Sequence, residues 1–191
     1  MMLRKAVFLD RDGTINVEVD YLSDPAQLKL IPGAAEAIRE LNRSKFEVIV
    51  VTNQSGIARG MLDIVKLDQI HERLREMLAE EEAHFDAVYF CPHHPTVGQA
   101  PFVTDCECRK PLPGMLKQAA AERNLALDAS SWIVGDSIRD LEAGAALGVP
   151  GILVSTGKGA DQHHRLGEIH EPAPLYAQDL HAAVAEILKR G

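Results

Sequence analysis

The stretch Val7-Phe8-Leu9-Asp10-Arg11-Asp12-Gly13-Thr14 joins a short apolar run to a polar turn, and the fold prediction starts from it. Two carboxylates spaced two residues apart end the run, and Gly13 gives the following turn its conformational freedom. Because residues i and i+2 of an extended segment point to the same side, Asp10 and Asp12 can face one small volume. Such hard oxygen ligands suit Mg²⁺, which often also meets a substrate phosphate. A plain polar turn has the same composition, since Asp and Gly are frequent in turns.

The composition is that of an ordinary globular protein, and it limits the classes of partner. The 191 residues are 46% hydrophobic and 25% charged, which allows a core that needs no cross-link. The formal net charge of −8 argues against a broad nucleic-acid surface, which needs clustered Lys and Arg. Only four apolar residues follow Arg4-Lys5, and no apolar run is long enough to span a membrane. We therefore expect one domain over residues 1–191, without a signal peptide or membrane contact, acting as a cytoplasmic monomer on a small molecule.

Short apolar runs alternate with amphipathic helices along the chain. The predicted strands cover Lys5–Leu9, Val48–Thr52, Ala87–Cys91, Ser131–Val134 and Gly151–Ser155. The predicted helices cover Ala34–Ser44, Asp63–Glu82, Pro113–Arg123, Ile138–Leu147 and Leu180–Lys189. This alternation predicts an α/β fold with a Rossmann-like parallel sheet and helices on both faces. Two segments interrupt it: Pro92–Pro113, which has no convincing helix or strand, and Gly157–Pro174, which we expect to be a mobile surface loop with little core of its own.

Polar clusters follow three of the predicted strands. In an open parallel sheet, ligands bind beyond the carboxyl ends of the strands. Besides the Asp10 turn, the second strand ends in Thr52-Asn53-Gln54-Ser55-Gly56 and the fourth in Gly135-Asp136-Ser137-Ile138-Arg139-Asp140. Taken singly, these clusters are explained by a turn and by a helix cap. Their coincidence at one edge favours a binding site.

Phosphoryl transfer gives the acidic residues distinct roles. Asp10 can act as a carboxylate nucleophile that forms an aspartyl-phosphate. Asp12 can protonate the leaving alkoxide and later deprotonate the attacking water. We expect Asp136 to complete the magnesium site, with Asp140 either a direct ligand or one step further out.

Charged and polar side chains elsewhere can bind the phosphate groups of a substrate. Thr52 offers a hydroxyl and Lys110 a cation for the phosphoryl oxygens. Arg109 can bind a second anion through two parallel hydrogen bonds. Arg59, in the loop after the second strand, can lean toward the substrate or be solvated.

All three cysteines of the chain lie close together in the irregular segment. Cys91 and His93 form a Cys-x-His pair, and Cys106 and Cys108 a Cys-x-Cys pair. In a cytosolic protein such clustering indicates a metal before a disulfide. Four N and S ligands predict a structural Zn²⁺ site with no open coordination position. Zinc binding would then order this irregular segment in place of a hydrophobic core. Three buried or idle thiols are the plainer alternative, and His94 is an alternative imidazole ligand.

The four polar motifs together resemble those of the haloacid dehalogenase superfamily of phosphatases. The motifs are Asp10-Arg11-Asp12-Gly13-Thr14, Thr52-Asn53-Gln54-Ser55-Gly56, Arg109-Lys110-Pro111 and Gly135-Asp136-Ser137-Ile138-Arg139-Asp140. Their order and spacing match from residue 6 to about residue 155. Within the superfamily, the loop with Cys91, His93, Cys106 and Cys108 is similar to the branch of heptose bisphosphate and histidinol-phosphate phosphatases.

The resemblance implies a mechanism and a ligand set. Asp10 would be the nucleophile and Asp12 the general acid/base. Mg²⁺ would be held by Asp10, the backbone carbonyl of Asp12, and Asp136. The residues implied to bind the phosphoryl group or lie near the substrate are Thr52, Lys110, Asn53, Gln54 and Arg109. Ser137 occupies a variable place where some relatives have Lys, which leaves the outer metal shell open.

The resemblance also implies a reaction. The branch removes the C7 phosphate of D-glycero-D-manno-heptose 1,7-bisphosphate, on the way to the nucleotide-activated heptose of bacterial surface polysaccharide. No stretch is long enough for a separate cap domain, so small loops, including the zinc loop at about 91–108, would shape specificity. The alternatives are a histidinol-phosphate phosphatase, a non-catalytic phosphosugar- or metal-binding module, and a nucleic-acid 3′-phosphatase, which the acidic balance opposes. The anomeric preference stays open.

Overall fold

The chain folds around a six-stranded sheet, and a computed structural model describes residues 3–190. The strands are β1 (Ala6–Leu9), β2 (Glu47–Asn53), β3 (Ala87–Cys91), β4 (Trp132–Gly135), β5 (Gly151–Val154) and β6 (Leu175–Ala177). They pair in parallel in the order β3-β2-β1-β4-β5-β6. The helices are α1 (Ala34–Arg43), α2 (Ile64–Glu80), α3 (Gly114–Arg123), α4 (Ile138–Ala145), α5 (Gly159–Gln162) and α6 (Leu180–Arg190). Within residues 3–190, no helix has both the length and the apolar composition needed to cross a bilayer.

The sheet is covered by helices on both faces, as the alternation of elements predicts. In β1, Val7 and Leu9 pack into a core with apolar residues of α1, α2 and α6. Phe8 points the other way and packs with residues of α3, among them Leu116. All four residues of β1 are fully buried because β1 lies in the interior of the sheet. The Asp10 turn therefore leaves the sheet near its middle.

The start of α4 places another acidic residue, Asp140, at the carboxyl end of the sheet, where the Asp10 turn also lies. Ser137 is the N-cap of the helix, and its backbone N–H donates to Asp140 Oδ2 at 3.0 Å. Such a capping box satisfies donors that the first turn of a helix leaves free. The cap fixes Asp140 beside the end of β4.

Two features of the second half of the chain differ from the sequence prediction. Strand β6 was not predicted, because three residues are too short for a clear period-two pattern. The predicted surface loop over Gly157–Pro174 is not wholly irregular, because it contains α5 and a 3-10 turn over His163–Glu168. It also contributes Ile169 to an apolar cluster with Leu141 and Leu153. The segment between β3 and α3 has no helix or named strand, as predicted.

Candidate active site

A cleft of about 420 Å³ opens at the carboxyl end of the sheet. Its lining includes the polar residues that follow β1, β2 and β4, so one edge of the sheet brings together Asp10, Asp12, Thr52, Asn53, Gln54, Asp136 and Asp140. Lys110, Arg109 and Arg59 line the same cleft from the loops. The location follows the general rule for open parallel sheets.

Lys110 joins two of the carboxylates at the floor of the cleft. Its Nζ donates to Asp10 Oδ1 at 2.9 Å and to the carbonyl of Val51 at 2.6 Å, and it lies 2.5 Å from Asp140 Oδ1. The side chain is only 2% exposed. Burial opposes its charge, but Asp10 and Asp140 outweigh burial and raise the pKa of Lys110 above its ordinary value. Lys110 is therefore a fixed cation beside Asp10.

The carboxylates of Asp10, Asp136 and Asp140 form a group suited to a hard cation. One oxygen of each lies within 4.8 Å of the others. Burial, with the neighbouring negative charges, raises the pKa of Asp10 to about 6 and that of Asp136 to about 8. Asp140 uses both of its oxygens on Lys110 and on the cap of α4, which makes Asp10 and Asp136 the better placed ligands. The clustered oxygen donors and the excess of negative charge fit Mg²⁺.

Two glycines allow the backbone to close around Asp136. Its Oδ2 accepts the backbone N–H of Lys158 at 2.8 Å. A Cβ placed on Gly13 or on Gly157 would lie 2.1 Å from that oxygen, and both residues have positive φ. Only glycine fits these two positions without displacing the carboxylate.

Asp12 is held by five hydrogen bonds. Arg11 donates through Nε at 3.2 Å and through Nη2 at 2.9 and 2.7 Å. Asn16 Nδ2 donates at 3.0 Å and Gln54 Nε2 at 2.9 Å. Burial opposes ionisation, but the Arg11 charge and these donors outweigh burial and hold the pKa of Asp12 below its usual range. The side chain is an oriented carboxylate near Asp10.

The predicted zinc ligands come together beside the cleft. Cys91 Sγ lies 3.6 Å from Cys106 Sγ and 3.7 Å from His93 Nδ1, and His93 Nδ1 lies 3.3 Å from Cys108 Sγ. A Zn–S bond of about 2.3 Å implies a tetrahedron whose edges are roughly 3.7 Å, so the four ligand atoms fit Zn²⁺. Burial raises the pKa of the Cys91 thiol, a cost that a bound cation removes.

His94 is not part of this group of ligands. Its Nδ1 accepts the backbone N–H groups of Thr96 and Val97 at 3.2 and 3.0 Å, and its Nε2 lies 3.4 Å from Arg59 Nη2. The alternative that His94 replaces His93 is therefore not what the structure shows. His94 lines the cleft instead.

Known proteins resemble the chain over most of its length. The HAD-hydrolase-like family model matches residues 107–183. The D-glycero-beta-D-manno-heptose-1,7-bisphosphate 7-phosphatase of Pseudomonas aeruginosa is 41% identical over 189 residues, covering 98% of this chain and 100% of that protein. The protein of the same name from Yersinia pestis is 46% identical over 154 residues, covering 80% of this chain and 81% of that protein. The chain belongs to the heptose 1,7-bisphosphate phosphatase family of the haloacid dehalogenase superfamily.

A solved structure of this family extends the similarity to the fold. The crystal structure of D,D-heptose 1.7-bisphosphate phosphatase from B. bronchiseptica, complexed with magnesium and phosphate, superposes with a TM-score of 0.86. It is 36% identical and covers 98% of this chain and 99% of that chain. Membership of the family makes this chain a phosphoric monoester hydrolase and not a non-catalytic binding module.

Two residues predicted to lie near the substrate of this phosphatase mainly support their neighbours. Asn53 exchanges hydrogen bonds with the backbone of Lys110, at 3.0 and 3.1 Å. Gln54 Nε2 donates both to Asp12 and to Thr52 Oγ1, at 2.9 Å each. Because Thr52 Oγ1 accepts this bond, its own proton is available to a phosphate oxygen.

The outer wall of the phosphatase cleft is rich in guanidinium groups. Arg59 stacks on the Tyr21 ring, with 5.6 Å between its Cζ and the ring centroid. Arg109 Nη1 donates to the carbonyl of His93 at 3.1 Å, which ties it to the zinc loop. Burial, and then the nearby charges of Arg109, Arg59 and Arg139, hold the pKa of His94 below its ordinary value.

The sequence prediction missed four charged residues that line the cleft: Glu18, Asp20, Arg139 and Lys158. Arg139 belongs to the fourth motif, but its position in the first turn of a helix suggested no ligand. Lys158 and Glu18 form an ion pair of 3.5 Å. They come from segments far apart in the chain, and no local pattern links them.

Proposed function

We propose that this chain is a Mg²⁺-dependent phosphatase that removes the C7 phosphate of D-glycero-D-manno-heptose 1,7-bisphosphate through a phosphorylated Asp10. The observation that carries the proposal is one cleft with an ion pair between Asp10 and the buried Lys110 at its floor and arginines at its outer wall. Relatives named for this activity, which match 80% and 98% of this chain, support the substrate, and because their names specify the β anomer we propose that anomer. The product would feed the synthesis of nucleotide-activated heptose for bacterial surface polysaccharide.

The first chemical step transfers the phosphoryl group to the protein. A carboxylate oxygen of Asp10 attacks phosphorus while the bond between phosphorus and the C7 oxygen of the sugar breaks. Asp12 supplies the proton that the departing alkoxide takes. The sugar, which has lost its C7 phosphate but still carries its C1 phosphate, then leaves.

The second step returns the protein to its starting state. A water molecule gives a proton to Asp12 and attacks phosphorus, and the bond between phosphorus and Asp10 breaks. Inorganic phosphate leaves and Asp10 is again a carboxylate. Asp12 is then protonated and ready for the next leaving group, and the donors around it hold the carboxyl group in place.

The remaining residues of the inner cleft stabilise charge on the phosphoryl oxygens. Lys110 is held beside Asp10, and the proton of Thr52 is free to reach a phosphate oxygen. Asp10, Asp136 and the backbone carbonyl of Asp12 would hold Mg²⁺, which when bound would neutralise the developing charge. The magnesium and phosphate in the B. bronchiseptica relative support this part of the proposal.

The outer cleft favours a substrate with a second anionic group. Arg59, Arg109 and Arg139 all line it. A C1 phosphate would pair with these guanidiniums, which bind phosphate through several hydrogen bonds. Histidinol phosphate would present an ammonium group there, and like charges repel. The bisphosphate is therefore the better candidate.

We propose that zinc serves as a structural ion. Cys91, His93, Cys106 and Cys108 would fill its coordination shell, leaving no open position for chemistry. Ion binding would order the loop that carries Arg109 and Lys110 into the cleft. Zinc binding needs reduced thiols, which fits the proposed cytoplasmic location.

The decisive experiment compares substrates with purified protein and Mg²⁺. Both anomers of heptose 1,7-bisphosphate, heptose 7-phosphate and histidinol phosphate are offered, and kcat/KM is measured for each. We expect the β-bisphosphate to exceed the 7-monophosphate and histidinol phosphate by at least about tenfold, because only the bisphosphate engages the outer arginines. A tenfold preference for histidinol phosphate would overturn the proposed substrate.

Arginine variants test the outer cleft separately. In Arg109→Met, KM for the bisphosphate should rise while KM for the 7-monophosphate changes little. Arg123→Met is the matched control, because Arg123 pairs with Glu47 at the opposite end of the sheet, at 2.7 Å. An equal rise of KM for both substrates in Arg109→Met would contradict a C1-phosphate site at Arg109.

A further inference from the structure

Arg11, the residue between the two catalytic carboxylates, is an unusual buried cation. Its side chain is fully buried and is among the largest fully buried side chains of the described residues. Arginine is rarely buried unless it is paired, because removing its charge from water is costly. The ionic partner of Arg11 is Asp12, at 2.7 Å. The residue therefore needs an explanation beyond packing.

The geometry of the pair fixes the plane of the Asp12 carboxylate. Nε and Nη2 of Arg11 together donate to both oxygens of Asp12, so one edge of the planar guanidinium faces the carboxylate. Asn16 and Gln54 each add one donor, to different oxygens. A planar cation with preorganised donors restricts rotation of a carboxylate more than a flexible ammonium does.

His71 of α2 is a buried neighbour close enough for the charge of Arg11 to act on it. His71 is 4% exposed and packs on the Phe90 ring with 6.1 Å between centroids. Burial, and then the charge of Arg11, lowers the pKa of His71 to about 3, so this neighbour is a neutral imidazole. In the part of the chain that the structure describes, His71 Nε2 and Arg11 Nη1 are both buried without a hydrogen-bond partner. Asp12 is thus the group toward which Arg11 directs its hydrogen bonds.

Arg11 cannot act on a substrate directly. Asp10 and Asp12 line the catalytic cleft, whereas Arg11 and Asn16 lie behind it. Any effect of the guanidinium on the reaction must pass through the carboxylate that it holds.

We propose that Arg11 is a positioning residue that holds the Asp12 carboxylate toward the oxygen of the leaving group. The inference rests on the proposed role of Asp12 as general acid/base. It predicts a dependence on the leaving group: an alkoxide needs a proton from Asp12 to depart, whereas p-nitrophenolate is a weak base and departs without one. Loss of Arg11 should therefore harm alkyl phosphates selectively.

The test measures kcat/KM for p-nitrophenyl phosphate, phenyl phosphate and heptose 1,7-bisphosphate in Arg11→Met and Arg11→Lys. In Arg11→Met we expect about a 100-fold loss with the bisphosphate and less than about a fivefold loss with p-nitrophenyl phosphate, with phenyl phosphate between them. Arg11→Lys should recover part of the loss, because it restores the charge but not the planar pair of donors. Asp12→Asn should show the same dependence on leaving group.

Arg123→Met is the structural control, since it removes a guanidinium from an ion pair outside the cleft and should not alter the dependence on leaving group. Equal losses of kcat/KM with all three substrates in Arg11→Met would overturn the proposal. If that variant does not fold, the same comparison in Arg11→Lys decides the question. A wild-type protein that hydrolyses phenyl phosphates but not the bisphosphate would refute the proposed substrate alone, and the phenyl series would still test Arg11.

Discussion

Replacing Asp10 with asparagine should stop turnover and at the same time stabilise the magnesium-free fold. Burial raises the pKa of Asp10 from 3.8 to about 6, despite the attraction of Lys110. Each pKa unit corresponds to about 1.4 kcal/mol, so the ionised folded form is disfavoured by about 3 kcal/mol relative to a neutral residue of the same shape. Asparagine is such a residue. Lys110 keeps Asp140 and the carbonyl of Val51 as partners.

The pH dependence of the stability gained in Asp10→Asn follows from the direction of the pKa shift of Asp10. The folded pKa of Asp10 lies above its unfolded value, so the destabilisation is absent below about pH 4 and complete above about pH 6. At pH 8, Asp10→Asn should therefore be more stable than the wild type by about 2–3 kcal/mol. At pH 4 the two proteins should unfold at similar urea concentrations.

The assay is urea unfolding in magnesium-free buffer with zinc retained, repeated with Mg²⁺ present. Added Mg²⁺ should stabilise the wild type more than the variant, because it binds the ionised carboxylate. In parallel, turnover of the bisphosphate should fall by at least about 1,000-fold, since an amide is a poor nucleophile. A variant that is no more stable than the wild type at pH 8 would refute the electrostatic reasoning, and retained turnover would refute the covalent route.

Three further substitutions probe the groups around Asp10. Cys108→Ser should reduce the zinc content measured by atomic absorption. It should also raise KM, because Arg109 and Lys110, which are proposed to bind the substrate, lose their placement. Unchanged zinc content would remove Cys108 from the ligand set. Gly157→Ala should destabilise the fold by about 2 kcal/mol in urea unfolding and weaken Mg²⁺ binding, because its Cβ would meet Asp136 in a left-handed backbone conformation. Asp140→Asn should lower the free energy of unfolding by about 2 kcal/mol, because an amide has one acceptor oxygen and cannot serve both Lys110 and the backbone N–H of Ser137; an unchanged urea midpoint would contradict that.

The sheet was predictable because its central strands are buried on both faces. The residues of β1, β4 and β5 are all buried, and such continuous apolar runs stand out from the polar turns that follow them. Because the alternation of strands and helices predicts a parallel sheet, the polar clusters that follow three strands are expected together at its carboxyl end. By contrast, β6 has only three residues, one of them buried, and gave no comparable pattern.

The contacts that orient the candidate site could not be predicted in the same way. Asp136 is held by the backbone N–H of Lys158, and a backbone donor leaves no mark in the sequence because every residue except proline has one. The ion pair between Lys158 and Glu18 depends on the path of the segment after β5. Arg11 lies between Asp10 and Asp12 in the chain, but its full burial depends on tertiary packing, which the local pattern does not contain.

The zinc loop and the catalytic edge are mechanically linked. Cys91 is the last residue of β3, and its Sγ belongs to the ligand group that also contains Cys108, two residues before Lys110. Asn53, the last residue of β2, pairs with the backbone of Lys110 through two hydrogen bonds. The position of Lys110 is therefore fixed from two adjacent strands, through the predicted zinc ligands after β3 and through the Asn53 amide at the end of β2. Because Lys110 in turn contacts Asp10 and Asp140, we expect a disturbance of this loop to reach the proposed nucleophile Asp10 without altering the pairing of the sheet.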